Sequence, residues 1–388
     1  MILVFDPDNS GIAHVPFNHG YLQVLRHAFP DERIRFFGEP EHCALLAGME
    51  PAGSPIRFDA GPFLGRIGRA RFRPWVALPR AWRMVRAARA IAEEARPRFV
   101  ALIGGVGPAV ISAVRHLWAG SRMPPLDLVL HSTLAEVGGW RSRNPLQRHF
   151  DMHAELSRPM RGPVRFVTLE SGIRDNLVAA FPVRARDAVL LEHPVPESEV
   201  WDARPDPSDP LNVGFIGNTT LAKGFGTFLE IARAVPGPRY HVLGRLIDPL
   251  PADAPRILAT PPAPRPLPRA DLLERLRALD LVVLPLTRPF YDWTASGTLI
   301  DCLTNLVPVL TARTPVTEAI FRRHGPIGVM VEHVGDLAPT MAGIDAGWLA
   351  AQLPLFTRNL RAAREARLPG MLARTYPGLP PGGRDPRP

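Results

Sequence analysis

Short apolar runs alternate with helix-like segments along most of the 388-residue chain. Examples are ILVFD at residues 2–6, RFVALIGG at 98–105 and LDLVLHS at 126–132, and each is followed by a stretch whose apolar residues have helical spacing. Strands that alternate with helices pair in parallel through right-handed crossovers. The sequence therefore predicts an α/β fold built on parallel sheets.

The alternation stops at PESEVWDARPDPSDP, residues 196–210, and a second series begins with LNVGFIG at 211–217. A stretch rich in Pro, Asp and Ser suits an interdomain linker. We therefore expect two Rossmann-like domains facing a cleft, 1–205 and 206–345. A helical segment, 346–375, is expected to cross back and pack on the first domain, and 376–388 is expected to be a disordered tail.

Cysteine content and charge exclude several classes of protein. The two cysteines are too few for a disulfide framework or a zinc site, and neither a signal peptide nor a long apolar run is visible, so we expect a cytoplasmic protein. Arg and Lys number 46 and the pI is near 10.7. Because GC-rich coding favours Arg together with Ala, Pro and Gly, this charge is weak evidence for nucleic acid, and no nucleic-acid partner is expected.

Among these cations, Lys223 is the one lysine of the chain. It lies in GNTTLAKGF, residues 217–225, between a predicted strand and a predicted helix. A helix N-terminus attracts phosphate, Lys is a compact cation, and Gly224 allows a ligand to approach the backbone. The stretch is not a P-loop, because it lacks the second glycine before Lys and the Ser or Thr after it. The alternative is a solvated surface lysine.

A second loop-and-helix start follows the predicted strand DLVVLPL at residues 280–286. Ser296, Gly297 and Thr298 present small residues at a helix start that suits phosphate. Asp301 lies one turn further on, where its carboxylate could accept hydrogen bonds from a ribose diol. It could equally be an acid that complements the helix dipole.

These residues resemble the nucleotide-sugar-binding domain of GT-B glycosyltransferases, especially the retaining family four. Gly217 and the Lys223-Gly224 pair match that family's first pattern in spacing, and Asp301 precedes Pro308 by the family's seven residues. The resemblance implies that Lys223 binds the diphosphate and Asp301 the ribose of a UDP- or GDP-linked sugar, with no metal or other cofactor required. It also implies transfer to a glycan, a lipid-linked glycan or a small molecule, as in polysaccharide or cell-envelope biosynthesis.

Two positions depart from the family pattern. Asn218 stands where the family has Arg, so one cation for the diphosphate is missing, and Arg245 could replace it. Trp293 stands where the family has its first acid, and the adjacent Asp292 could act as the catalytic carboxylate. A nucleotide-sugar epimerase of the same fold and a non-catalytic nucleotide-sugar-binding protein are therefore the rival hypotheses.

The first half of the chain resembles the family's acceptor domain more loosely. Gly11 and His14 lie in the loop after the first predicted strand and are expected on the acceptor side. The resemblance implies that His131, which ends a strand, touches the donor sugar or organises the transition state. A histidine hydrogen-bonded at a strand end is the alternative. Asp6 and Asp8 form a D-x-D pattern, but they are expected to cap the loop, and no metal site is predicted.

Arginines and tryptophans are interleaved in residues 66–98. This composition suits an anionic membrane surface or a lipid-phosphate acceptor, and the protein could then lie at the inner face of the membrane. The alternative is a solvated helix face in an Arg-rich chain.

Overall fold

The computed structural model describes residues 1–62, 74–120, 122–139, 144–220, 223–247, 257–259 and 267–376. The chain divides into two compact units. The first contains Met1–Pro196, Trp293–Ala295 and the chain from Leu368 onward. The second contains Glu197–Asp292 and Ser296–Arg367. The predicted helical segment 346–375 starts in the second unit and ends in the first.

The first unit is built on a seven-stranded sheet in which every pair of neighbours is parallel. Its strand order is β3-β2-β1-β4-β5-β6-β7. Strands β2 and β3 therefore lie on one side of β1, and β4 to β7 lie on the other. The strands are β1 (Ile2–Phe5), β2 (Ile34–Gly38), β3 (Ile56–Ala60), β4 (Phe99–Leu102), β5 (Leu126–Leu130), β6 (Val164–Thr168) and β7 (Ala188–Leu190).

Helices connect these strands, as the alternating pattern predicts. They are α1 (Val15–Ala28), α2 (Pro40–Met49), α3 (Pro74–Ala95), α4 (Pro108–Leu117), α5 (Ala135–Gly139), α6 (Pro145–Arg148), α7 (Met152–Ser157) and α8 (Ser171–Ala180). Strands β1, β4 and β5 are buried along their whole length, which explains why they read as continuous apolar runs rather than as alternating ones.

The second unit repeats the arrangement with six parallel strands in the order β10-β9-β8-β11-β12-β13. The strands are β8 (Asn212–Ile216), β9 (Arg239–Leu243), β10 (Ile257–Ala259), β11 (Leu281–Leu284), β12 (Val309–Ala312) and β13 (Gly328–Val331). The helices are α9 (Phe225–Ala234), α10 (Arg269–Arg277), α11 (Gly297–Thr304), α12 (Pro315–His324), α13 (Leu337–Ala342) and α14 (Ala346–Glu365). The prediction of two α/β domains with parallel sheets is confirmed.

The predicted linker is part of the second unit from Glu197 on. Arg204 donates hydrogen bonds to the carbonyls of Leu279 and Asp280 at 2.6 and 2.9 Å. The Asp280 carboxylate in turn accepts from the backbone N–H groups of Ser208 and Asn212 at 3.2 and 2.7 Å. The polar residues of this segment satisfy buried backbone groups, and their composition did not show that the segment is packed against the second unit. The second unit therefore begins before the expected boundary at residue 205.

The C-terminal region also differs from the expectation. Helix α14 belongs to the second unit, because its apolar face, including Leu349 and Phe356, packs in that unit's core. Only the chain from Leu368 belongs to the first unit, where α15 (Pro369–Thr375) contributes Leu372 to the core. Tyr376, the first residue of the expected tail, is buried, whereas 377–388 lie outside the described residues.

Tyr376 is held by a polar network inside the first unit. Its hydroxyl donates to Asp127 Oδ2 at 2.9 Å and lies 2.9 Å from the hydroxyl of Tyr21. Asp127 also accepts two hydrogen bonds from Arg165, at 2.7 and 2.8 Å. The buried carboxylate is therefore both paired and hydrogen-bonded, which a buried charge requires.

We expect Tyr376→Phe to lower the free energy of unfolding of the first unit by about 1–2 kcal/mol, because Asp127 loses a donor and the Tyr21 hydroxyl loses its partner. Urea denaturation measures the change. Arg374→Ala, at an exposed position of α15, is the control and should change the value by less than about 0.5 kcal/mol. Equal stability of Tyr376→Phe and wild type would contradict the assignment.

Candidate functional site

The carboxyl ends of the central strands of the second unit come together at glycines. Gly217 follows β8 with φ 110°, and Gly244 follows β9 with φ 136°. A Cβ on Gly244 would lie 2.4 Å from the Gly217 carbonyl oxygen, so only glycine fits there. Strand β8 is also where the strand order reverses, between β9 and β11. Ligands of open parallel sheets bind at such a switch point.

Lys223 and Thr298 meet above Gly217. A Cβ built on Gly217 would lie 3.6 Å from Lys223 Nζ and 3.9 Å from Thr298 Oγ1. The Lys223 side chain is half-buried, and burial lowers its pKa. In the part of the chain that the structure describes, no carboxylate pairs with its ammonium. The two segments that the sequence singled out separately therefore form one site around an unneutralised cation.

Helix α9 begins at this site. Its N-cap residue, Gly224, has φ 78°, and a Cβ there would lie 2.4 Å from the carbonyl oxygen of Pro285, the residue after β11. The first turn of α9 carries no acidic residue and no side chain caps it. The positive end of the helix dipole is therefore left for an external anion.

Helix α11 begins at the same edge of the sheet. Ser296 is its N-cap residue and accepts a hydrogen bond from the Leu299 N–H at 3.3 Å. Thr298 donates to the carbonyl of Ile216, the last residue of β8, at 3.3 Å. Apart from its chain neighbours and the backbone of its own helix, no atom lies within 4 Å of a Cβ built on Gly297, so the space in front of this turn is open. The first turn again carries no acid.

Asn218, which stands where the family pattern has Arg, and Arg245, the cation suggested to replace that Arg, lie on neighbouring loops. Thr219 joins these loops, because its N–H donates to the Arg245 carbonyl at 3.1 Å and its hydroxyl accepts from the Ile247 N–H at 2.8 Å. Both Asn218 and Arg245 are exposed. Among the described residues, no carboxylate pairs with Arg245. Its guanidinium is a second cation on the loop beside Gly217.

Asp301 is bound by an arginine that the sequence did not single out. Arg269, the first residue of α10, donates to Asp301 Oδ1 at 2.5 Å and also contacts Glu199. The first turn of α11 contains no acid, so Asp301 is not the dipole-complementing residue considered from sequence. Burial raises the pKa of its carboxyl, and the neighbouring guanidinium opposes that rise.

Asp292 and Trp293 belong to different units. Asp292 ends a 3-10 turn of the second unit, Phe290–Asp292. Its Oδ1 is ion-paired with Arg288 Nε at 2.7 Å. Trp293 clusters with the first unit, where its ring centroid lies 6.4 Å from that of Phe181.

The first unit has a polar cavity of about 40 Å³ at the carboxyl ends of β1, β4 and β5. It has room for about three water molecules. Its walls include the two predicted residues His14 and His131, whose ring centroids are 4.3 Å apart. The remaining lining residues are Asp8, Asn9, Ile103, Gly104, Gly105, Val106, Val129, Ser132 and Thr133.

His131 has no hydrogen-bond partner in the part of the chain that the structure describes, and both of its ring nitrogens are buried. The strand-end hydrogen bond considered as the alternative from sequence is therefore not formed. Burial, together with the neighbouring His14 and His193, holds the pKa of His131 well below its ordinary value. The imidazole is neutral at neutral pH, with one donor and one acceptor nitrogen.

Asp6 shapes the loop that carries Gly11. Its carboxylate accepts from the N–H and the side-chain amide of Asn9, and from the amide of Asn18 at 2.5 Å. A Cβ on Gly104 would lie 2.0 Å from Asp6 Oδ1, so this position in the loop after β4 requires glycine. Gly11 has φ 54° and donates to Glu39 Oε2 at 3.3 Å. As the sequence suggested, Asp6 caps the loop.

Sequence reasoning missed several residues that the structure places around these sites, namely Asn9, Gly104, His193, Glu199 and Arg269. Gly104 and Gly105 end the predicted strand RFVALIGG, and a glycine pair at that place is a signal that could have identified this wall of the cavity. No such signal marks Arg269 or Glu199. No described helix is long and apolar enough to cross a membrane, and the described residues contain no group of three or more metal-ligating side chains.

Several known structures are similar in fold to the chain. It matches sucrose-phosphate synthase from Thermosynechococcus elongatus with a TM-score of 0.65 and 14% identity, over 97% of this chain and 96% of that one. It matches HepE of Anabaena in complex with UDP with a TM-score of 0.60 and 15% identity, over 97% and 98%. It matches the lipopolysaccharide outer core galactosyltransferase WaaB with a TM-score of 0.59 and 11% identity, over 97% of each chain.

The chain has the GT-B fold. The expected fold class is thereby confirmed, over nearly the whole length of the chain. No protein-family model and no curated protein matches the sequence.

We expect the stability of the first unit to fall as pH decreases below about 6.5, in part because of His131. The unfolded chain binds a proton on this imidazole at a higher pH than the folded chain does, so acid favours unfolding. The midpoint temperature of unfolding should therefore depend less steeply on pH between about 7 and 5 in His131→Gln than in wild type. His27→Gln, at an exposed histidine, is the matched control. Equal slopes in wild type and His131→Gln would contradict the prediction.

Proposed function

We propose that the protein is a glycosyltransferase that moves a sugar from a nucleotide-diphosphate sugar to an acceptor hydroxyl. The observation that carries the proposal is the half-buried ammonium of Lys223, which lies beside Gly217 at the switch point of the second sheet. Two helix N-termini without acids in their first turns begin around it. A cation and two positive dipole ends suit a diphosphate.

Transfer of the sugar leaves a nucleoside diphosphate, and negative charge grows on its oxygen as the glycosidic bond breaks. Groups already oriented toward that charge lower the barrier. We assign this role to Lys223 and to the N–H groups at Gly224 and at Ser296, Gly297 and Thr298. Gly217 provides close approach to the backbone, and Arg245 replaces the cation lost at Asn218. This set of donors does not require a metal ion.

The donor is proposed to be a UDP- or GDP-linked sugar. Asp301 follows Thr298 by three residues on α11, so the two side chains lie on one face of the helix. A carboxylate one turn beyond a diphosphate site can accept hydrogen bonds from ribose. HepE of Anabaena, which shares the fold, binds UDP and UDP-glucose in its crystal structures.

The polar cavity of the first unit is proposed to serve the sugar and the acceptor. A neutral His131 lines this cavity, and its ring nitrogens, which have no partner among the described residues, can hydrogen-bond sugar hydroxyls. Gly11 and His14 are assigned to the acceptor side, because His14 lines the same cavity and Gly11 shapes the loop before it. Asp292 is proposed as the catalytic carboxylate and retention of the anomeric configuration as the outcome, which NMR of the product can measure.

The acceptor is proposed to be a glycan or a lipid-linked glycan at the cytoplasmic face of a membrane. Helix α3 supports this, because Trp75 is 58% exposed and Arg80, Arg83 and Arg86 are exposed on successive turns. Arginines three residues apart share one helix face. A basic face with an exposed tryptophan suits an anionic bilayer surface.

Lys223→Ala should weaken the binding of UDP or GDP at least about tenfold, because a charge-assisted hydrogen bond to phosphate is lost. Calorimetric titration of both nucleotides measures the effect. Arg233→Ala removes one positive charge from the exposed end of α9 and should leave the affinity near that of wild type.

Amine-selective acetylation gives an independent measurement, because Lys223 is the one lysine of the chain. Nucleotide should slow acetylation of Lys223 but not of the N-terminal amine, as followed by mass spectrometry. The diphosphate assignment is wrong if Lys223→Ala binds every nucleotide as well as wild type does. Turnover of donor without acceptor to an epimer would instead support an epimerase.

The membrane proposal predicts that the protein floats with vesicles of phosphatidylglycerol and not with vesicles of phosphatidylcholine. Replacing Arg80, Arg83 and Arg86 together by Gln should abolish flotation, because each arginine near an anionic surface contributes about 1 kcal/mol. The control replaces three exposed arginines of the second unit by Gln, namely Arg322, Arg323 and Arg358. If the control variant loses flotation equally, net charge alone explains vesicle binding, and the proposal of a specific membrane-binding face on α3 is refuted.

A further inference from the structure

The loop between β1 and α1, residues 6–14 (the Gly11 loop), is attached to helix α2 through the peptide groups of Gly11. The Gly11 N–H donates to Glu39 Oε2 at 3.3 Å, and the Gly11 carbonyl lies 2.8 Å from His42 Nδ1. Glu39 is the N-cap residue of α2, and its Oε2 also accepts from the His42 N–H at 2.9 Å. The two residues that hold Gly11 are therefore bonded to each other.

The surroundings of His42 determine which of its ring nitrogens donates. The side chain is fully buried, and its Nε2 lies 2.7 Å from the amide nitrogen of Asn18. That amide nitrogen also donates to Asp6 Oδ2 at 2.5 Å, and the reverse orientation of the amide would bring its oxygen against the Asp6 carboxylate. An amide nitrogen only donates, so Nε2 accepts, and Nδ1 carries the hydrogen that it donates to the Gly11 carbonyl.

The Gly11 loop forms one wall of the polar cavity. Its residues Asp8, Asn9 and His14 line that cavity. Gly11 and His14 are both in the left-handed backbone region, with φ 54° and 59°. This conformation is unfavourable for histidine and persists where surrounding contacts hold it. His42 is not one of the described residues that line the cavity, so its effect on the cavity passes through the loop.

We propose that His42 is a positioning residue, which holds the Gly11 loop in the shape that presents His14 to the polar cavity. The role requires a hydrogen-bond donor at the position of Nδ1, not merely a buried polar side chain. The inference deepens the proposed function and rests on it, because that function places the sugar and the acceptor in this cavity. The acceptor side then depends on a residue of α2 that contacts neither of them.

Two amide variants separate the roles of the two ring nitrogens. The amide nitrogen of Asn is as many bonds from Cα as Nδ1, and the amide group of Gln reaches the position of Nε2. His42→Asn therefore keeps a donor for the Gly11 carbonyl, whereas His42→Gln keeps a partner for Asn18 and loses that donor. Both variants replace the ring by a smaller amide, so a general loss of packing affects them alike.

The first measurement is amide hydrogen exchange of residues 8–14, followed by mass spectrometry. Exchange should be at least about fivefold faster in His42→Gln than in wild type, and within about twofold of wild type in His42→Asn, because a buried hydrogen bond is lost only in the former. The matched control is His153→Gln, which removes another histidine bond of the first unit, from Nε2 to the Val137 carbonyl at 3.0 Å. Its exchange over residues 8–14 should equal that of wild type.

The second measurement is NMR of protein labelled with ¹⁵N-histidine. Wild-type His42, identified by the signals missing in His42→Asn, should carry its hydrogen on Nδ1 and none on Nε2. The signals of His14, identified with His14→Gln, should shift in His42→Gln and keep their wild-type positions in His42→Asn.

The functional measurement is release of free sugar from UDP-glucose and GDP-mannose, with water as the acceptor. For the donor that wild type hydrolyses, kcat should fall at least about tenfold in His42→Gln and less than about twofold in His42→Asn, because misplaced groups lower the rate steeply. The affinities for UDP and GDP, measured by calorimetry, should be the same in all three proteins, since Lys223 belongs to the second unit. If wild type hydrolyses neither donor, exchange and NMR decide.

Unchanged exchange and unchanged His14 signals in His42→Gln overturn the inference. Equal disturbance in His42→Asn and His42→Gln also overturns it, because His42 would then contribute packing alone. If His42→Gln does not fold, the wild-type spectrum decides, and a hydrogen on Nε2 in place of Nδ1 refutes the role. In each case the proposed function stands if nucleotide binding depends on Lys223, whereas it fails, together with the inference, if wild type binds no nucleotide.

Discussion

Parallel pairing of every strand is the constraint on which the rest of the structure depends. Because neighbouring strands point the same way, the loops after them emerge on one edge of each sheet. Residues far apart in the sequence thereby become neighbours. Thr298 lies 82 residues from Ile216 along the chain and bonds its carbonyl. Glycine is required where two backbone segments touch at these edges, because a Cβ would clash. A Cβ on Gly244, for example, would lie 2.4 Å from the carbonyl oxygen of Gly217.

The sequence was sufficient to predict this architecture, and it singled out separately the two segments that the structure brings together beside Gly217. Buried parallel strands read as apolar runs, and a lysine and small residues after two of them had to reach the same edge. The sequence was not sufficient for the environment of Asp301. Arg269 precedes Asp301 by 32 residues and is one of three arginines in α10, so its position in the sequence does not distinguish it from the others. Glu199 lies in a stretch whose composition suited a linker.

The assignment of the C-terminal helix failed for a related reason. The apolar face of α14 showed that the helix packs against a core, but amphipathicity does not identify which core. The same limit applies to the arginines. Their number reflects composition, yet Arg165, Arg204 and Arg269 each bond buried acids or carbonyls, and Lys223 and Arg245 do not pair with an acid among the described residues. The sequence therefore does not show which cations are paired with acids, and only the folded structure distinguishes them.

The burial of Tyr376 has a consequence for biosynthesis. Its hydroxyl meets that of Tyr21 across a sequence separation of 355 residues, and Leu372 completes the same core. Domains of a growing chain generally fold in order from the N-terminus. Here the first unit lacks part of its core until the second unit and the residues after it have been synthesised. The earliest segment of the chain is therefore among the last to complete its packing, and part of its apolar surface stays uncovered while the second unit is being made.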